Sequence, residues 1–361
     1  MKSRLVFLFI MICYGSLHSQ PSHVILNLPK PAPSILKSPK FFVQEVEDKR
    51  KVTGSGLGKV VSSGQELQIV LPKSVENSLL TYWSNAAPKG KDTYLPLYIT
   101  VKEFRVTEKR SGTNKVTGEL TLSVSFRWYR NMQPVQLTNY QTTANYTRPD
   151  SDPAYEKISE QVLNQSLIHF NNWMATNSGK TPSLTRNLKL VFKEIRGNNN
   201  QDTVFYDPKR PLIWADFKGQ NRSPGSRYAA AVFTSFAYEG RSFPKGDDLV
   251  VEIGLKTFMV KSMSWGRAES KTPSTLRHEQ LHFDITRLVV ERFKHNLQNA
   301  ELTIEDHDSE IQYQFLETFR EMNHEQKAYD GETGHGLNAG AQAEWDRKVT
   351  AEIDDIYSRQ Q

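Results

Sequence analysis

Thr272-Pro273-Ser274-Thr275-Leu276-Arg277-His278-Glu279-Gln280-Leu281-His282 decides how the C-terminal half of this chain is read. Thr272 or Ser274 suits a helix cap, because a hydroxyl there can accept a hydrogen bond from one of the first free N–H groups. Pro273 suits the first turn, where its missing N–H is not needed and its φ is already helical. From Leu276 to Leu297 the apolar residues Leu281, Phe283, Ile285, Leu288, Val289, Val290 and Phe293 surround most of the helix. That pattern predicts burial on several sides. His278 and His282 stand four apart, one turn apart on one face, so two imidazole nitrogens can meet a single ion. Glu279 is rotated by about 100° around the axis, where it can reach water at such an ion without ligating it. Neutral imidazoles leave a divalent ion net positive, so it acidifies water. A carboxylate alongside can take that proton and later pass it on.

This H-E-x-x-H spacing is the one zinc metallopeptidases use, and Zn2+ is the expected cofactor. Two His and a Glu inside a buried helix are costly without a partner, which favours a site over coincidence. His324-Glu325-Gln326 repeats the triplet, but Ala328 stands where the second His would fall, so that stretch reads as a solvated helix face. A zinc site needs a third protein ligand and leaves the fourth position to water. A second helix, about Asp308 to Lys327, carries Ile311, Phe315, Phe319 and Met322 on one face and turns Glu317 and Glu321 away from it. Beyond it, Tyr329-Asp330-Gly331-Glu332-Thr333-Gly334-His335-Gly336 reads as a loop, and its Gly-bracketed His335 is the expected third ligand. Asp330, Glu332 and Asp284 are the alternatives. Asp284 reads better as a group behind the ligands or a helix-stabilising charge, since it lies on a different face from His282.

N-terminal to this helix, Tyr228–Tyr238 and Leu249–Val260 are two strand-length runs separated by Gly240, Pro244 and Gly246, and they predict an antiparallel hairpin. The polar stretch Arg196–Asp202 reads as a domain boundary. Ahead of it, residues 60–196 form an expected α+β unit. Leu120, Leu122, Val124, Phe126 and Trp128 alternate strictly, as in a half-buried strand, and Leu97–Val106 pairs with it across Ser111-Gly112-Thr113-Asn114. A helix follows Pro153, then a short strand over Leu188, Leu190 and Phe192. Nothing in that unit carries chemistry. Residues 20–59 hold Pro29, Pro31, Pro33, Pro39 and Gly54-Ser55-Gly56, and read as a leader or linker.

The first nineteen residues pair Lys2 and Arg4 with an apolar run from Leu5 to Tyr14 and then small residues, the pattern of a cleaved signal peptide. A secreted or periplasmic protein is expected. Lipid anchoring at Cys13 is the weaker alternative, because bulky Ile12 precedes it. No stretch is long enough for a transmembrane helix. One Cys in 361 residues excludes a disulfide scaffold and Cys-ligated zinc. Lys+Arg 46 against Asp+Glu 40 gives +6, too mild an excess to indicate nucleic-acid binding.

Four blocks in order resemble the bacterial domain-of-unknown-function family 922, whose members are described as predicted secreted zinc-dependent proteases. They are Leu212-Ile213-Trp214-Ala215-Asp216-Phe217-Lys218-Gly219; Ser264-Trp265; His278-Glu279-Gln280-Leu281-His282-Phe283-Asp284; and Tyr329–Gly336 with Gln342 and Trp345. The resemblance covers about Asp202 to the C-terminus. It implies a zincin-like metallopeptidase domain over 203–361, a small antiparallel or mixed sheet packed on the H-E-x-x-H helix. His278, His282 and His335 would bind zinc, with Asp330 in the same block still an alternative. Glu279 would be the general base, and Tyr329 could donate to a developing oxyanion. Tyr228–Tyr238 could align a peptide or protein substrate along its edge. The expected whole is α+β, an exported peptidase. A non-catalytic envelope binding or scaffold protein, or a zinc amidase acting on cell-wall peptides, is the other reading.

Overall fold

The structure, a computed structural model, describes residues 23–31, 35–52, 54–91, 94–197, 202–220 and 228–358. The expected signal peptide and Cys13 lie outside the described residues. The chain is a mixture of sheets and helices divided into two compact units between Asn177 and Ser178. The α+β expectation therefore holds, but the boundary does not fall at 196–202.

The first unit runs β1 (His23–Ile25), β2 (Phe41–Asp48), β3 (Gly56–Ser62), β4 (Gln65–Val70), α1 (Val75–Ala86), β5 (Leu95–Gly112), β6 (Lys115–Arg130), β7 (Gln133–Arg148) and α2 (Tyr155–Asn177). Strands β5, β6 and β7 form a long antiparallel meander. Asn131 and Met132 both have positive φ at its second turn, the geometry that a two-residue hairpin loop requires. The strict alternation of β6 buries Leu120, Leu122, Val124 and Phe126 completely. Phe170 of α2 stacks on Phe126 at 4.8 Å. Residues 20–59 are not merely a linker. Phe41, Val43 and Val46 of β2 are buried, and β2 lies parallel to the first half of β5. A β-bulge between Val43 and Glu45 interrupts its period of two. Gly58 of β3 comes so close to β5 that a Cβ would sit 2.1 Å from the Val106 carbonyl oxygen, and its φ is +129°.

The second unit runs β8 (Asn187–Glu194), β9 (Thr203–Phe205), β10 (Ala230–Ala231), β11 (Thr234–Lys245), β12 (Asp248–Val260), β13 (Trp265–Gly266), α3 (Pro273–Asn299), α4 (His307–Thr333) and α5 (Ala339–Ser358). The expected hairpin forms as β11 and β12, from Thr234 opposite Met259 to Lys245 opposite Asp248. β12 also pairs in parallel with β8, which is why Leu188, Leu190 and Phe192 belong to this unit and not to the first. The sheet order is β11-β12-β8, with β9 against the end of β12. Helix α3 is buried on several sides, as its sequence predicts. Leu281, Phe283, Ile285 and Leu288 join a core with Tyr206, Met259, Tyr329, Val349 and Ile353. Val289, Val290, Phe293 and Leu297 join another beneath the sheet with Phe236, Leu249, Val251 and Ile253. The helix is thereby fixed in roll, and the direction of its histidines with it. None of the described helices is long and apolar enough to cross a membrane.

Candidate metal centre

Helix α3 begins as read: Thr272 Oγ1 accepts the Thr275 N–H at 3.1 Å, and Pro273 is the first helical residue. His278 and His282 emerge on one face with ring centroids 4.9 Å apart and nearly perpendicular. The residue that meets them is Asp330. Its Oδ1 lies 3.3 Å from His278 Nε2 and 3.1 Å from His282 Nε2. His278, His282 and Asp330 form a three-ligand group that can hold a metal ion. Asp330 is not on a loop. Helix α4 continues through Gly331 to Thr333 and ends at Gly334, whose φ of 57° is the left-handed cap.

Two glutamines orient the rings. His278 Nδ1 lies 3.0 Å from Gln342 Oε1, and His282 Nδ1 bonds Gln326 Oε1. The Gln326 amide is not free to turn round. Gln326 Nε2 donates to His282 O at 2.9 Å and to Thr286 Oγ1 at 3.0 Å. Gln342 Nε2 donates to Tyr329 Oη at 2.8 Å. The Gln326 oxygen therefore faces His282, whose Nδ1 carries the proton, and the Nε2 atoms of both rings are aimed at one carboxylate oxygen. A lone pair aimed at an anion calls for a positive charge between the two. The electrostatics agree. Burial works to lower the His282 pKa, but Asp330, Glu279 and Gln326 outweigh it, and the ring is driven toward its positive form. Burial works to raise Asp330, yet bonds from His278 and His282 hold it well below the usual carboxylate range. Two neutral nitrogens and one carboxylate are a donor set suited to zinc, with coordination positions to spare.

Other expected site residues sit differently. His335 is not one of the three converging groups. It lies beside them, with Nδ1 3.3 Å from Asp330 Oδ1, an edge-to-face Tyr228 ring at 4.6 Å and a left-handed φ of 57°. Next to it, Gly336 packs so closely on His278 that a Cβ would lie 3.3 Å from the ring. Tyr329 does not face the cleft. It is fully buried under the centre, stacked on His278 at 4.7 Å, with its hydroxyl on Gln342 Oε1 and His278 O. Burial raises its pKa above the usual tyrosine range. An oxyanion role is thus replaced by a packing and positioning one. Asp284 points behind the helix to Gln280, Tyr206 and Arg277. Glu332 accepts the Trp345 indole N–H at 2.7 Å. Neither reaches the ligands.

Glu279 is buried and lines the same cleft as His278, His282 and Asp330, a cavity of about 500 Å3. Burial raises its pKa, against the lowering pull of His282 and His278 and a bond from the Val232 N–H. That N–H belongs to the chain from Tyr228 to Thr234, which forms one wall. Ala230 and Ala231 pair with Gly266 and Trp265, and the Phe233 N–H donates to Ser264 Oγ at 2.9 Å. Gln280 Oε1 accepts the Leu212 N–H at 2.7 Å. The Gln342 stretch thus reaches His278, the Ser264 stretch braces the cleft wall, and the Leu212 stretch bonds Gln280 on the back of the helix. Gln326 carries almost no signal in the sequence. Its signal was only its place four residues before Asp330, inside a triplet read as a solvated face.

No family model matches the chain, and no curated protein matches it. Among solved structures, a protein from Xanthomonas campestris described with the family model DUF330 is 14% identical, at a TM-score of 0.27, over 43% of this chain and 97% of its own. A minor lipoprotein from Acinetobacter baumannii is 11% identical, at a TM-score of 0.16, over 28% of this chain and 75% of its own. Neither likeness is close enough to carry an argument about function.

Proposed function

We propose that this protein is an exported zinc-dependent metallopeptidase that hydrolyses peptide bonds, with His278, His282 and Asp330 as ligands and Glu279 as general base. One observation carries the reading. Two imidazoles, each bonded at Nδ1 to a glutamine side chain, aim Nε2 at one carboxylate oxygen in a cleft that also contains Glu279. When bound, a zinc ion supplies Lewis acidity, lowering the pKa of water and polarising a carbonyl. The chain's own residues do the rest. Glu279 accepts a proton from water and returns it to the departing amine. Its burial moves its pKa toward working pH, which favours both transfers. The Val232 N–H fixes that carboxylate against the cleft wall. Asp330 would complete the donor set with the two rings, and its negative charge would balance part of the ion's.

The basic and apolar start of the chain supports export, and the four sequence blocks support membership of family 922 with its zincin-like fold. The test is cleavage of an unbiased peptide library by protein of known zinc content, with Glu279→Gln beside it. Turnover that Glu279→Gln abolishes, by a factor of about a hundred or more, supports the peptidase. Stoichiometric zinc with equal, background turnover in both proteins refutes it and favours the envelope scaffold. Turnover confined to cell-wall peptides indicates the amidase.

A further inference from the structure

Contacts across the centre give the cleft a direction. Along α3, Ser274 and Thr275 come first, then His278 and His282, then Thr286. On α4 the order is reversed, since His282 meets Gln326 while His278 meets Asp330. The wall strand follows α3: Tyr228 touches His335, Val232 bonds Glu279, and Thr234 Oγ1 lies 2.8 Å from Thr286 Oγ1. One end of the cleft is therefore built by Tyr228, His335 and Leu337, and the other by Phe233, Met322 and Asn323.

At that second end the apolar surface does not stop. Phe319 and Leu316, one and two turns before Asn323 on α4, are 37% and 46% exposed. The Phe319 ring lies 6.0 Å from Phe236 of β11, so the strand and the helix border this surface together. Large side chains left in water beside a cleft mark a binding surface more often than solitary exposed residues do. Their spacing sets a length. From Asp330 back to Phe319 is eleven helical residues, roughly 16 Å at 1.5 Å each, which an extended chain covers in about five residues.

We propose that Phe319 and Leu316 form an apolar track that selects substrates, holding bulky hydrophobic side chains about five to six residues from the scissile bond. The substrate class is an extended polypeptide segment rich in such residues, as an unfolded chain offers. The inference rests on the peptidase reading for the position of the scissile bond, but the track itself is tested without turnover. Phe319 also packs on Phe236 and Phe315, so Leu316→Ser, at the more exposed position, is the milder variant, and unchanged binding of the Ser peptide checks that each variant is folded.

The binding probe is a fluorescent twelve-residue peptide with Phe and Leu at the predicted positions, measured by anisotropy on zinc-loaded Glu279→Gln protein. Its partner carries Ser at those positions. We expect the apolar peptide to bind about tenfold more tightly, and the Phe319→Ser and Leu316→Ser changes to remove that preference while leaving the Ser peptide unaffected. In the Glu279 protein, kcat/KM shows the same preference. Equal binding of both peptides, or a preference that survives Phe319→Ser with Leu316→Ser, overturns the proposal. If the preference is seen and lost as described but no peptide is cleaved, the track stands and the peptidase fails.

Discussion

Replacing Gln326 with Met isolates the amide that directs His282. The side chains are similar in length, so the exchange removes three polar contacts with little change in volume. Two of them leave no orphan. His282 O still accepts the Thr286 hydroxyl at 2.9 Å, and Thr286 Oγ1 still has Thr234 at 2.8 Å. The third does: the buried His282 Nδ1–H loses its only named acceptor. Leaving such a donor unpaired costs about 1–3 kcal/mol. The ring can escape by moving its proton to Nε2, where it meets Asp330. That tautomer competes directly with a metal ion, so zinc affinity falls by about 10–100-fold, or about 1.4–2.7 kcal/mol. Competition with a chromophoric chelator near neutral pH measures it. Gln326→Glu keeps the acceptor and adds charge behind the ring, and is expected to bind zinc at least as tightly as the parent. A folded Gln326→Met protein with parental zinc affinity refutes the argument that Gln326 sets the tautomer.

Other substitutions test neighbouring parts of the account. Tyr329→Phe removes a buried hydroxyl and lowers stability by about 1 kcal/mol in denaturant unfolding, with turnover nearly unchanged; a hundredfold loss of kcat at full zinc occupancy contradicts its placement beneath the ligands. Gly336→Ala combines a φ of +81° with a Cβ against His278, and is expected to weaken zinc binding as well as stability, by about 1–2 kcal/mol in unfolding. Asp216 is half of an ion pair with Arg210 and accepts the Ile213 N–H. Burial works to raise its pKa, but those partners prevail and hold it low. A carboxyl lowered by folding stabilises above its unfolded pKa, about 3.9, and that contribution disappears as pH falls through the folded value. Asp216→Asn should therefore cost about 1–2 kcal/mol at pH 7, allowing for the half-exposed Arg210, with the difference from the parent shrinking in acid unfolding below that range.

How far the sequence was legible follows from what each signal measures. The H-E-x-x-H helix was readable because cap, proline and apolar pattern agree along one continuous element, and β6 because one face is buried along its whole length while the other is largely half-buried or exposed. β2 was hidden by its bulge and by the charged residues that follow it. β7 was hidden because Gln, Thr, Asn and Tyr alternate between half-buried and exposed positions without an apolar contrast. Its place is set by pairing with β6, a long-range contact that no local window contains. The third ligand shows the same limit more sharply. Asp330-Gly331 looks like a turn, yet Gly331 adopts ordinary helical geometry, and the glycine that ends α4 is Gly334. That shift of one turn carries Asp330 onto the helix face opposite His278 and His282, and leaves His335 beyond the end.

The central claim is that His278, His282 and Asp330 together hold one divalent ion. Elemental analysis of purified protein, dialysed against trace zinc, tests it most directly when Asp330→Ala and His335→Ala are measured in parallel. One zinc per chain in the parent and in His335→Ala, with zinc lost from Asp330→Ala, is the result the account predicts. Zinc retained by Asp330→Ala and lost from His335→Ala would contradict it.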